Sequence, residues 1–151
     1  MFDLPVLPRD GRPRVRWHGL VGAGAALHLA RAAAALRHPL LIVTRDAAEM
    51  SRLEDELRFF APPSLPIIAF PDYETLPYDQ FSAHPDIISQ RLRTLSRLPG
   101  LATGIVITDL PTSLQRLPPR SFVDGNALTP RVGEPLEAEP LRRGLTAAGY
   151  G

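Results

Sequence analysis

Three short, continuously apolar runs constrain the fold of this 151-residue chain more than any other feature. They are Leu40–Thr44, Pro66–Phe70 and Gly104–Thr108. Each has the length of a strand, and apolar side chains at consecutive positions are typical of strands covered on both faces. Helical patterns separate the runs, and this alternation is typical of a parallel sheet. The sequence therefore predicts an α/β fold with a parallel sheet of buried strands.

The segments between these runs predict helices with one apolar face each. Predicted helices cover Gly24–Leu36, Asp46–Phe60 and Pro85–Leu98, and a short fourth runs from a capping Asp109 through Leu117. The positions assigned to their apolar faces are Leu27, Ala30, Ala34 and Leu36 in the first helix, Met50, Leu53, Leu57 and Phe60 in the second, and Ile87, Ile88, Leu92, Leu95 and Leu98 in the third.

Composition excludes several classes of chemistry. The chain has no cysteine and only four scattered histidines, which excludes disulfides, thiolate nucleophiles and cysteine-ligated zinc. All 17 basic residues are arginine, so no lysine can act as a phosphate clamp or catalytic amine. No apolar run approaches the roughly 18 residues of a membrane span, and the N-terminal residues do not resemble an export signal. We expect a cytoplasmic protein with no metal site and no membrane partner.

A glycine-rich segment precedes the first predicted helix, where backbone N–H groups can bind phosphate. Aligned with the phosphate-loop pattern GxxxxGK[ST], Gly19 and Gly24 match, whereas Ala25 replaces the lysine and Ala26 the magnesium-binding hydroxyl. The dinucleotide pattern GxGxxG fits Gly22 and Gly24 but fails at Leu27, and the preceding strand, 15–17, is weak. The segment is therefore interpreted as a vestigial phosphate loop without cofactor, or as a small-residue turn that permits close helix–sheet packing.

Asp109 follows the third apolar run, as a magnesium-binding carboxylate would. Leu110 stands where a second carboxylate would position water, so a helix cap is the better interpretation. We assign no catalytic residue and no metal ligand.

The segment 72–81 combines acids with aromatic side chains and contains no basic residue. Aromatic rings with polar groups are typical of ordered loops and partner surfaces, which favours an interface over acid–base catalysis. The interface candidates are Asp72, Tyr73, Glu74, Leu76, Pro77, Tyr78 and Phe81, with Arg91 and Arg93 on the following helix as weaker candidates for DNA or partner contacts.

The texture changes after Pro118-Pro119, which predicts a domain boundary near residue 120. Residues 1–120 form the α/β domain, and residues 121–151 look like the start of a small α+β domain. A domain that only begins here is expected to expose apolar side chains, namely Phe122, Leu128, Leu136 and Leu145.

The loop and the helix after it carry a family resemblance. The segments 72–79 (DYETLPYD) and 81–92 (FSAHPDIISQRL) resemble the N-terminal region of bacterial transcription-repair coupling factors, and weaker similarity extends over nearly the whole chain. The resemblance implies a helicase-like first domain, similar to that of UvrB, whose phosphate loop has degenerated. The beginning of a UvrA-binding domain would follow, and because its contact residues lie beyond Tyr150, none is assigned here.

For the intact protein, the resemblance implies an ATP- and magnesium-dependent DNA translocase. It would displace stalled RNA polymerase from double-stranded DNA and recruit excision repair through UvrA, with motor domains downstream of these 151 residues. The alternative, from the residues alone, is a small stand-alone nucleotide-binding α/β enzyme that uses the loop Gly19–Gly24.

Overall fold

The computed structural model describes residues 14–75, 83–126, 138, 139 and 142. The elements of the fold are α1 (Gly24–Ala35), β1 (Leu40–Thr44), α2 (Ala47–Phe60), β2 (Ile67–Ala69), α3 (Pro85–Arg97), a 3-10 turn (Leu98–Gly100), β3 (Ile105–Asp109), α4 (Leu110–Ser113) and α5 (Arg120–Asn126). All three predicted strands and all four predicted helices form.

The three strands make one parallel sheet in the order β1-β3-β2. Ile105 at the start of β3 pairs with Leu40 of β1 on one side and with Ile67 of β2 on the other. Every residue of β3 is buried, as expected for the central strand. The predicted α/β class with a parallel sheet is confirmed.

One face of the sheet packs on α1 and α2 and forms the main core. Strand residues that alternate along the chain share this face, and helix residues three or four apart meet them. The buried members of the cluster are Ala26, Ala30, Ala33, Ile42, Met50, Leu53, Leu57, Ala69, Ile105 and Ile107. In α2 the predicted stripe is confirmed at Met50, Leu53 and Leu57, and Asp46 caps the helix by accepting the Glu49 N–H at 2.8 Å.

The opposite face is covered only over β2 and β3. Ile68 and Val106 point there and are buried, whereas Leu41 and Val43 of β1 are 62% and 45% exposed. The prediction that β1 is buried on both faces is therefore wrong. The reason is topological: β1 lies at the edge of the sheet, and α3 lies over the other two strands.

The buried face of α1 also differs from the prediction. Ala34 is exposed, and the fully buried positions are Ala26, Ala30, Ala32 and Ala33. Because the side chains at a helix contact set the interaxial distance, alanines let α1 lie close to α2. The larger Leu27 is only half-buried.

The orientation of α3 corrects a second expectation. Its buried residues are Arg91 and Thr94, both 2% exposed, while the predicted core residues Ile88 and Leu98 remain more than a third exposed. Arg91 and Thr94 are three residues apart and share a helix face. That face turns toward the end of β2, where backbone carbonyls need donors, so hydrogen bonding sets the rotation of the helix.

The segment after β3 is less helical than predicted. α4 ends at Ser113 instead of continuing through Leu117, because the Ser113 hydroxyl donates to the Leu110 carbonyl at 2.7 Å, a local bond that competes with further helix. No strand forms at 15–17 within the described residues.

Beyond Pro119, α5 packs against α3 and buries Val123. Phe122 is 52% exposed, which agrees with the predicted apolar surface; Leu128, Leu136 and Leu145 lie outside the described residues. Among the described helices, none is both long and apolar enough to cross a bilayer.

Candidate functional site

The glycine-rich turn leads directly into α1. Gly19 and Gly22 have positive φ angles of 74° and 57°, which glycine adopts at little cost. The Gly24 N–H, at the first position of the helix, donates to the Val21 carbonyl at 3.1 Å. A Cβ added at any of the three glycines would meet open space. Backbone conformation, rather than the close helix–sheet packing expected from sequence, therefore explains the glycines at 19 and 22.

The two alanines after the turn define what it can do. Ala26, at the position of the magnesium-binding hydroxyl, is fully buried and packs in the core with Ala30. Ala25, at the position of the lysine, is half-buried. Phosphoryl transfer depends on a cation at the β- and γ-phosphates and on a hydroxyl that binds magnesium. Neither group is present at this turn, although its backbone retains the helix N-terminus that attracts anions.

Asp109 is occupied by a structural role. Its side chain is buried, and Oδ1 accepts the Thr112 N–H at 2.7 Å at the start of α4. The described residues contain no group of three side chains able to hold a metal ion. The geometry supports the interpretation of Asp109 as a helix cap.

A polar clamp fixes the chain where it leaves β2. Three successive backbone carbonyls each accept a side-chain donor: Thr94 Oγ1 to Ala69 at 2.9 Å, Thr108 Oγ1 to Phe70 at 2.9 Å, and Arg91 Nη1 to Pro71. A buried carbonyl without a partner is costly, so these side chains replace the bonds that a longer strand would make. The clamp orients the first residues of the acidic, aromatic loop.

Arg91 is the centre of this clamp and not a surface residue. Its guanidinium carbon lies 4.2 Å from the centroid of the Phe70 ring and 3.8 Å from that of Tyr73, so two rings flank one cation. The expectation that Arg91 contacts DNA or a partner at the surface is therefore corrected: the residue is buried. Arg93, two positions along α3, is exposed.

The described part of the loop divides into held and presented residues. Asp72 accepts a hydrogen bond from the Gln115 amide, and Tyr73 is half-buried against Arg91. Glu74 is exposed and has a φ of 57°, uncommon for a residue with a side chain. The other candidates, Leu76, Pro77, Tyr78 and Phe81, lie outside the described residues.

Sequence reasoning missed the clamp residues Thr94, Thr108 and Gln115. Thr94 carries one usable signal, because it lies three residues after Arg91 and the pair forms a polar line along a helix assigned to the core. Thr108 and Gln115 carry none, since their partners are 38 and 43 residues away in sequence.

The electrostatics of the neighbouring strand end are local. The hydrogen bond from the Glu49 N–H, followed by that from the Arg45 side chain, lowers the pKa of Asp46 below its ordinary value. The same pairing raises the pKa of Arg45. Both residues serve the start of α2, so this ion pair stabilises a helix terminus.

Comparison with known proteins gives a consistent result. No family model matches the chain. It is 40% identical over 149 residues to the transcription-repair-coupling factor of Escherichia coli (strain K12), and 36% identical over 151 residues to that of Haemophilus influenzae. The factor of Myxococcus xanthus is 30% identical over 143 residues.

These alignments cover 99%, 98% and 91% of the chain, but in each case only 12% of the relative. The chain thus corresponds to a small part of proteins about eight times its length. The similarity is continuous through the turn, the sheet and the clamped loop. On this evidence the chain belongs to the transcription-repair-coupling factor family.

Proposed function

We propose that this chain is a non-catalytic docking module, the N-terminal part of a transcription-repair-coupling factor. One observation carries the proposal: Ala26 is buried in the core at the position where a nucleotide-hydrolysing loop needs a hydroxyl. The turn keeps the backbone of a phosphate loop and lacks its chemistry, as expected of a helicase-like, UvrB-like domain that has lost its nucleotide.

The remaining parts of the proposal rest on the family. In the intact cytoplasmic protein, ATP and magnesium would act in downstream motor domains that move on double-stranded DNA and displace RNA polymerase. This module would serve recruitment of UvrA and packing against the rest of the polypeptide. The docking element is the loop that begins at Asp72, held by the clamp and presenting Glu74 to solvent.

Nucleotide use is tested by calorimetric titration of the chain with magnesium-ATP, together with a hydrolysis assay on the same sample. We expect neither saturable binding nor turnover. The double variant Ala25→Lys, Ala26→Ser restores the missing residue types and should remain silent, because position 26 faces the core. Binding with turnover by the unmodified chain would overturn the proposal in favour of the stand-alone nucleotide-binding enzyme.

Docking is tested by reversing one exposed charge on the loop. Glu74→Arg in the full-length factor should weaken association with UvrA, or loosen packing against the downstream domains, measured by equilibrium binding and by limited proteolysis. The matched control is Asp55→Arg, an exposed acid on α2 on the other side of the sheet. Equal behaviour of the two variants in both assays would contradict a role for the loop in docking.

A further inference from the structure

Arg91 carries a buried charge that the described structure does not balance. The residue is 2% exposed, and none of the ion pairs in the described part of the chain includes it. Arginine does not lose its proton in proteins, so it cannot escape burial by becoming neutral. Two aromatic rings and the Pro71 carbonyl offset part of the desolvation cost.

The unused donors of Arg91 lie together on one edge of the guanidinium. Nη1 donates to Pro71, whereas Nε and Nη2 are buried and have no hydrogen-bond partner among the described residues. The Nε–H and the Nη2–H that lies beside it are parallel and form a fork. This edge matches the spacing of two oxygens in an oxyanion and binds it with two charge-assisted hydrogen bonds.

The surroundings of the fork select a flat ligand. Phe70 and Tyr73 lie within about 4 Å of the guanidinium carbon, and rings this close leave room mainly in the plane of the guanidinium. A carboxylate is planar and bonds within that plane, while a tetrahedral sulfate or phosphate places oxygens above and below it.

We propose that the Nε/Nη2 edge of Arg91, between Phe70 and Tyr73 at the base of the loop, is a binding site for a carboxylate group. The group is carried either by a small organic acid or by an acidic side chain that reaches the site. Binding neutralises the buried cation and strengthens the clamp on the loop. The proposal does not depend on UvrA binding or on the degenerate phosphate loop, so it can fail or succeed independently of the proposed function.

The experiment compares thermal unfolding of the chain in sodium formate and in sodium chloride at equal ionic strength. A ligand that binds only the folded state raises the unfolding temperature as its concentration rises. We expect a saturable increase in formate for the unmodified chain and for Arg93→Lys, the matched control on the exposed side of the same helix. Arg91→Lys keeps the charge but has no fork, and should unfold at the same temperature in both salts.

Several results would overturn the site. These are a formate effect of equal size in all three proteins, no formate effect in the unmodified chain, or a larger Arg91-dependent increase with sulfate than with formate. A short glutamate peptide distinguishes the two sources: stabilisation by the peptide that requires Arg91 identifies a side-chain carboxylate, and stabilisation by formate alone identifies a small acid.

If Arg91→Lys does not fold, nuclear magnetic resonance of the unmodified chain answers the same question. A buried Nε–H exchanges slowly with solvent, so its signal should persist after the signals of exposed arginines have broadened. Formate, and not chloride, should shift that signal along a saturable curve. A signal that stays unmoved by formate would refute the proposal.

Discussion

At the scale of single residues, backbone geometry decides what a position tolerates. Gly104 immediately precedes β3 and has a φ of 133°, a region that other residues rarely adopt. A Cβ placed there would lie 2.7 Å from the Pro66 carbonyl oxygen, the same oxygen that accepts the Ile105 N–H at 2.8 Å. Glycine is therefore required where the central strand enters the sheet beside β2.

We expect Gly104→Ala to destabilise the protein by about 1–3 kcal/mol, through strained backbone and displacement of Pro66. Urea unfolding followed by circular dichroism measures the loss. Gly100→Ala is the matched control, since an added Cβ there meets open space and its φ is unremarkable. A loss at Gly100 as large as the loss at Gly104 would contradict this account.

At the scale of elements, β1 shows how position in a sheet determines burial. Its five residues are all apolar or threonine, yet only the face toward α1 and α2 is covered. Leu41 and Val43 lie on the uncovered face, while Ile42, between them, is 8% exposed. Neighbouring residues of similar chemistry therefore contribute very differently to stability.

We expect Ile42→Ala to lower the free energy of unfolding by about 2–5 kcal/mol, because it removes buried methyl groups and leaves a cavity. Leu41→Ala deletes a similar volume from a side chain that is mostly in water, and should change stability by less than about 1 kcal/mol. Denaturant titrations of the two variants provide the comparison. Similar losses would show that the outer face of β1 is covered in solution.

At the scale of the whole molecule, α5 ties the segment after residue 120 to the α/β layer. It packs on α3, and Val123 is 4% exposed. The sequence places a domain boundary at the same point, because the proline pair precedes a stretch without strand patterns. α5 therefore follows the predicted boundary but contacts the first domain.

Truncation tests which side of the boundary α5 belongs to. A chain that ends after Pro119 should unfold at a lower temperature than the 151-residue chain, because it uncovers the surface of α3 that Val123 contacts. A chain that ends after Asn126 retains α5 and should unfold near the original temperature. Calorimetry on the three chains decides the matter, and equal unfolding temperatures would instead support a boundary at residue 120.

Local patterns account for the elements that were predicted correctly. Apolar runs of strand length, proline at the start of α3 and aspartates at the caps of α2 and α4 act within a few residues of where they stand in the sequence. The missing lysine and hydroxyl at Ala25 and Ala26 are equally legible, because they are properties of residue type. The existence and type of each element follow from such signals.

The sequence by itself determined the α/β class, the strand and helix positions, the degenerate phosphate loop and the family. Only the tertiary structure decided that β1 lies at an edge, that α3 turns Arg91 inward, and that Thr94, Thr108 and Arg91 hold the end of β2. The physical reason is that these features depend on partners 20 to 38 residues away. Hydrophobic periodicity reports which side chains avoid water, but not which buried carbonyl requires a donor.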